Sequence, residues 1–222
     1  ETLGENALAA LGATSAIKTE IIGFLNGMTN GFSLLTARFF GAKDEKHMKQ
    51  TVAATLVLGF ATAALLTLLS LVFLEPLLKL LNTPDEIFSQ AKTYISIILA
   101  GMAVTMCYNI CASILRAVGD TITPLVFLII STLVNIVLDL LFIKGFGSNV
   151  EGAAYATLIS QLLSVILCIV YIFRKYPVLI PDKESFTFSA RLAGEMYAAG
   201  LSMGLMISLV GIGTVIIQGT IN

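Results

Sequence analysis

The sequence predicts an all-α fold, a polytopic bundle of transmembrane helices, and three observations carry that prediction. Apolar residues fill 57% of the 222 positions, charged residues only 12%, and the mean hydropathy is +0.93. A soluble domain carries about twice that charge fraction. The charges also fall in short clusters that leave apolar stretches of about 20 residues, the length a helix needs to cross ~30 Å of hydrocarbon. Finally, Gly, Pro and Asn punctuate the chain at the ends of those stretches. A net charge of −1 provides no basic face for nucleic acid.

Six helices are expected, over Ala7–Phe40, Thr51–Leu74, Thr93–Leu115, Thr123–Ile143, Ala153–Phe173 and Met196–Ile221. The first is too long for one straight span, so its start, or the Lys18/Glu20 region, is expected to lie at the interface or to bend. Gly41 to Lys46 forms a charged turn, and Asn82-Thr83-Pro84-Asp85-Glu86 a turn into the third helix. Gly119 can cap one helix, Asp120 or Thr121 can start the next, and Pro124 falls in its first turn. Gly145 to Asn149 reads as a short hairpin. Arg174 to Arg191, with Pro177 and Pro181, is the longest polar link and the expected boundary between lobes. The chain opens on Glu1 with no signal peptide ahead of its first apolar run, and it stops at Asn222 inside a hydrophobic segment. Both ends read as cuts.

Orientation follows from the basic residues. Arg38, Lys43, Lys46, Lys49, Arg116, Arg174, Lys175, Lys183 and Arg191 share one side, against Lys18, Lys79, Lys92 and Lys144 on or near the other. This places the Gly41, Gly119 and Pro177 connections in the cytoplasm. The first helix then enters from outside, so an odd number of spans, most simply one, is expected upstream.

Gly23, Gly27 and Gly31 form a stripe on one helix face, where another backbone can approach closely. Asn26 and Asn30 lie on a neighbouring face and could line a cavity or bond another helix. Cys107, Cys111 and Cys168 sit in apolar stretches and read as small buried hydrophobes. His47, in a basic turn, reads as solvated.

The costly residue is Asp139, a carboxylate inside a membrane segment, where such groups face a cavity or find partners. Asn135 and Ser131 precede it by four and eight residues, on the same helix face. Thr157 and Gln161 make a similar pair in the next helix. At ~1.5 Å per residue, Asp139 lies ~6 Å and Asn135 ~12 Å below the outer end of the fourth helix, Thr157 ~6–8 Å below the start of the fifth, and Tyr94 up to ~12 Å into the third. A carboxylate, an amide carbonyl and hydroxyls suit a proton or a hard monovalent cation such as Na+. The alternative is that Asp139 snorkels to water or pairs with Lys144.

Four segments, in this order, resemble the multidrug and toxic compound extrusion (MATE) family: Ala37 to Lys43; Leu115-Arg116-Ala117-Val118-Gly119-Asp120-Thr121-Ile122-Thr123-Pro124; Asn135 to Asp139; and Gly152 to Thr157. The resemblance covers essentially the whole chain. It implies a twelve-helix, monomeric transporter of the cell membrane, with two six-helix lobes working by alternating access. In that frame residues 1–176 are five helices of the amino-terminal lobe, lacking its first, residues 177–194 a cytoplasmic linker, and residues 195–222 the truncated first helix of the second lobe. The family's coupling-ion site pairs an aspartate on the first helix with residues that appear here as Asn135, Asp139, Thr157 and Tyr94. The first-helix aspartate would fall upstream of Glu1, so the site is expected to be incomplete in this chain.

The function so implied is Na+- or H+-coupled antiport exporting amphipathic or cationic compounds across the lipid bilayer, with no cofactor beyond the coupling ion. A lipid-linked saccharide flippase of the same superfamily is the alternative. It would favour a cationic cavity for pyrophosphate, and no Lys or Arg stands in the middle of a helix. An intramembrane enzyme would need a metal cluster or a nucleophile–base set, which a single loop His does not supply. A purely structural membrane subunit would leave the Asn135/Asp139 pair unexplained.

Overall fold

The computed structural model describes residues 5–74, 85–142 and 150–221, and these form an all-helical bundle. Its helices are α1 (Glu5–Gly41), α2 (Glu45–Val72), α3 (Asp85–Ala100), α4 (Met102–Ala117), α5 (Ile122–Leu140), α6 (Val150–Lys175) and α7 (Ala190–Ile221). Four described stretches are long and apolar enough to cross a membrane, and the bent pair α3–α4 makes a fifth. The chain is a multi-pass membrane protein. The expected turn at Asn82–Pro84, the hairpin at 145–149, and Lys79 and Lys144 lie outside the described residues.

The structure moves several of the expected boundaries: α2 starts at Glu45, six residues before the expected Thr51. The third expected helix starts eight residues early, at Asp85, and is broken at Gly101 by 48°. At the break the Leu158 side chain of α6 occupies the space that a Cβ on residue 101 would need, and glycine is a common site of helix kinks. The first is a single unbroken helix from Glu5 to Gly41. The last begins at Ala190 instead of Met196 because its first turn is polar: Ser189 Oγ accepts the Leu192 N–H at 3.2 Å, and Arg191 pairs with Glu195 at 3.1 Å. A search for apolar stretches passes over such a turn.

The core lies among α1, α2, α3 and α4, where Leu25, Met48, Ile95, Leu99, Met106 and Ile110 are almost fully buried. Leu179, from the polar link, joins it through a 3-10 turn at Pro177–Leu179. A second 3-10 turn, Lys183–Phe186, is started by Asp182, which also meets Lys49 of α2 at 3.6 Å. The link is thus docked on the bundle. The opposite face of α5 is apolar and open, with Leu125, Ile129, Leu133 and Val137 all exposed. Such a face is unfavourable in water and suited to lipid.

Helices α1 and α7 make the most extensive contact in the bundle. They run antiparallel, with Gly31 against Ala199 and Gly200, Gly27 against Met203 and Gly204, and Glu20 against Gly211. Edge-on packing of Phe32 on Tyr197, with ring centroids 5.9 Å apart, extends the seam.

At the end bearing Gly41, Gly119 and Pro177, the basic end, α4 finishes in a Schellman turn. Gly119 takes φ +87°, its N–H bonds Arg116 O at 3.0 Å, and the Asp120 N–H bonds Leu115 O at 3.0 Å. The Asp120 carboxylate then starts α5 by accepting the Thr123 N–H at 3.2 Å. Its other oxygen accepts from Tyr171 at 2.9 Å and Tyr176 at 3.3 Å, with the Lys175 ammonium 3.6 Å away. Burial pushes this carboxyl up, but the Thr123 and Tyr171 hydrogen bonds and the Lys175 charge outweigh it and hold Asp120 below the usual carboxylate range. A depressed folded pKa contributes stability above the unfolded value of ~3.9, and that stability is lost as pH falls through the folded pKa. Asp120→Asn is therefore expected to lower the thermal midpoint of the full-length protein at pH 7. The gap from wild type should close below about pH 4, and temperature-dependent size-exclusion profiles at several pH values measure it.

Candidate cation site

Asn135 and Asp139 are positioned by the way α5 lies on α6. Ser131 Oγ donates to Ser160 O at 2.6 Å, and Ser164 Oγ donates to Phe127 O at 3.2 Å. These two bonds set an antiparallel register in which each step up α5 is a step down α6. Carried onward, that register levels Asn135 with Ala156 and Asp139 with Gly152. The residues at those levels, Gly152 and Ala156, are small and buried, which lets the two backbones stay close.

Thr157 follows Ala156 directly. Tyr94, 6% exposed, packs with Ile98 against Ala154, so α3 delivers its phenol to the first turns of α6. With α3 starting at Asp85, Tyr94 stands nine residues, ~13 Å, into its helix. By that register Asn135, Asp139, Thr157 and Tyr94 lie toward the end of the bundle away from the basic end, as do the end of α5 and the first turns of α6.

Their polar atoms are committed to different degrees. Asn135 and Asp139 are half-buried, and Asn135 Nδ2 and Asp139 Oδ1 are sealed from solvent. Asn135 Nδ2 has no acceptor among the described residues. Thr157 Oγ1 donates to Ala153 O at 2.9 Å, which commits its proton and leaves its lone pairs to accept or to ligate. Together the four side chains offer one carboxylate, one amide and two hydroxyls. Among the described residues no three His, Cys, Asp or Glu side chains gather as a transition-metal site would require.

Two polar neighbours are committed elsewhere. Ser131 is spent on Ser160, and Gln161 Oε1 accepts from Thr105 Oγ1 of α4 at 2.7 Å, so Gln161 separates from Thr157 and ties α6 to α4. The suggested Asp139–Lys144 pair involves a residue outside the described ones. Asn26 and Asn30 bond each other at 3.2 Å, and Asn30 also accepts from Arg116 at 2.8 Å, so interhelical bonding describes them. That inward reach of Arg116 was missed from sequence, although long side chains on helices lean back toward the N-terminus of their own helix. Cys111 and Cys168 are buried around Leu115 in an apolar cluster. His47 is exposed, bonded to Asp44 at 2.6 Å and stacked on Phe39.

The sequence model of the MatE family matches residues 1–141, which is more than half of the chain. The chain belongs to the MatE family. This MatE chain is 33% identical over 210 residues to "Probable multidrug resistance protein YpnP" of Bacillus subtilis, covering 90% of the chain and 46% of that protein. It is 24% identical to "Multidrug export protein MepA" of Staphylococcus saprophyticus, covering 92% of the chain and 46% of the relative. Among solved structures it matches an inward-facing multidrug resistance MATE transporter of the MOP superfamily at a TM-score of 0.87 and 27% identity, over 94% of the chain and 48% of that structure. An outward-facing one is matched at 0.84 and 28%, over 96% and 47%. The MatE chain spans about half the length of the relatives it matches.

Proposed function

We propose that this chain is the ion-coupling half of an exporter that drives amphipathic or cationic compounds out of the cell against entry of Na+ or H+. Asp139 carries the coupling charge, and Asn135, Thr157 and Tyr94 are its neutral ligands. The observation that carries the reading is an intramembrane carboxylate with an amide one turn before it and hydroxyls from two further helices at neighbouring levels. Residues 1–176 act as one lobe, 177–194 as a cytoplasmic linker and 195–222 as the beginning of the second lobe, so the α1–α7 seam joins the lobes. Alternating access by rocking of lobes is supported by the near-equal likeness of this half to inward- and outward-facing transporters, at TM-scores of 0.87 and 0.84. The protein acts as a monomer in the cell membrane.

Ion-driven dye efflux from energised vesicles bearing the full-length protein, measured across pH 5.5–8 with and without Na+, tests the reading. Neither a pH gradient nor a Na+ gradient driving efflux would sink it. Thr157→Ala and Tyr94→Phe, which each remove one neutral ligand, should weaken coupling only partly, seen as a raised ion concentration for half-maximal efflux.

Orientation has its own test. Glu45 and Glu184 are exposed at the basic end. Cysteines placed there in a Cys-free protein should be labelled only from the cytoplasmic side, and one at Ser148 only from outside. Labelling of position 45 in intact cells by an impermeant reagent would reverse the assignment.

A further inference from the structure

Thr105 breaks a pattern that other helix threonines follow. Thr29, Thr55, Thr62, Thr132 and Thr157 each donate to the carbonyl four residues back in their own helix, at 2.7–3.1 Å. Thr105 is 5% exposed, and its hydroxyl crosses to another helix, donating to Gln161 Oε1 of α6 at 2.7 Å. The residue four before it is Gly101, at the break between α3 and α4. The Gly101 carbonyl accepts the backbone N–H of Val104 at 2.9 Å and that of Thr105 at 3.3 Å. Leu158 of α6 lies against Gly101 itself. One turn of α6, from Thr157 to Gln161, is thus pinned on the break.

The other end of that turn gives the pin its meaning. Thr157 and Gln161 are four residues apart on one face of α6. Long side chains on a helix lean back toward its N-terminus, so an unheld Gln161 amide has Thr157 Oγ1 within reach. Thr157 has given its proton to Ala153 O, and only the lone pairs of its oxygen remain. Those lone pairs accept an N–H or ligate a cation, and one use competes with the other. Gln161 is half-buried, and buried amides find partners inside the protein. The Thr105 bond takes Gln161 by its oxygen and draws the side chain toward α4.

We propose that Thr105 is a positioning residue for the coupling ion: by holding Gln161 it keeps the Gln161 amide off Thr157 and leaves Thr157 Oγ1 to the ion. Gln161 is then a built-in competitor, restrained in the working protein. The inference rests on the ion-coupling reading above and deepens it with a residue outside the ion's own ligands.

The test is ethidium efflux from energised vesicles bearing the full-length protein. Two titrations are run, one of Na+ at neutral pH and one of pH without Na+. Thr105→Val keeps the shape of the side chain and removes its hydroxyl. It should raise the Na+ or proton concentration for half-maximal efflux roughly three- to tenfold, the scale of one neutral hydrogen bond. The maximal rate should stay within about twofold, well inside that scale. Thr105→Ser keeps the donor and should match wild type. Gln161→Leu removes the competitor, so the double variant Thr105→Val/Gln161→Leu should return to within about twofold of wild type. That rescue is the decisive result, because a merely structural tie between α4 and α6 is broken equally in the double variant. A double variant as weak as Thr105→Val overturns the proposal, as does a Thr105→Val titration that matches wild type or loses only maximal rate. If Thr105→Val gives no monodisperse protein, Thr105→Ala makes the same comparison. A wild type that responds to neither ion would instead count against the coupling reading itself.

Discussion

Asp139→Asn is expected to reduce ion-driven efflux to the level of empty vesicles while leaving the protein folded and inserted. The substitution keeps the size and nearly all the hydrogen-bonding capacity of the side chain and removes only its charge. Asp139 lies in the last turn of α5, half-buried, with Asn135 one turn below. An amide there can still accept a hydrogen bond, but it cannot take up a proton or balance a monovalent cation. Placing an ionised Asp in the centre of a membrane helix costs about 2.5–3.5 kcal/mol on insertion scales, and less toward its end, so insertion should be unchanged or slightly easier. The expected result is a normal size-exclusion profile, wild-type binding of a cationic dye, and no dependence of efflux on pH or Na+. A wild-type pH and Na+ profile for this variant would show that Asp139 merely reaches for water, and would remove the coupling assignment.

The second large effect is expected on the α1–α7 seam. A Cβ at Gly27 would lie 2.6 Å from Gly204 Cα and 2.7 Å from Met203 O, and one at Gly31 would lie 2.5 Å from both Ala199 O and Gly200 Cα. These are backbone atoms, which cannot step aside as a side-chain tip can. Gly27→Leu must therefore push α7 off α1 along the seam. In a membrane the loss falls on close packing itself, because lipid tails are as apolar as the lost contact. Overpacking of this kind costs about 1–3 kcal/mol or more, a fall of about 2–12 °C in thermal midpoint for a domain of this size. The yield of monodisperse protein should drop with it. Gly23 provides the internal control. Its added Cβ would meet only Ile207 Cγ2, at 3.4 Å, so Gly23→Ala should be close to neutral. Equal thermal midpoints for Gly27→Leu and wild type would mean that the seam is open in the working protein.

Much of this was readable in one dimension. The helices, their lipid-facing lengths and the turn at Gly119 follow from apolar run length and from residues whose backbone preferences are local. The placement of Asn135 and Asp139 on one face follows from helical periodicity alone. The glycine stripe on α1 was visible too, but it said only that some backbone comes close. That the partner is α7, through Gly200 and Gly204, depends on contacts between residues some 170 positions apart.

The same division holds within the site. Residue types and depth grouped Tyr94, Asn135, Asp139 and Thr157, because chemistry and rise per residue are properties of the sequence itself. The separation of Gln161 from Thr157 could not be read that way, since it depends on a hydroxyl of Thr105 arriving from α4. The close approach of Leu158 of α6 to Gly101 likewise joins residues far apart in the chain. Arg116 is the sharpest case: by position it belongs to a basic turn facing water, and by structure it reaches Asn30 inside the bundle. The sequence by itself determined the helices, the membrane, the family likeness and the cost of Asp139, because these depend on local preference and on transfer from water to hydrocarbon. Which polar groups are spent on one another, and which are left for a ligand, was decided only by tertiary packing, because a hydrogen bond requires two groups within about 3 Å and sequence spacing cannot supply that distance between helices.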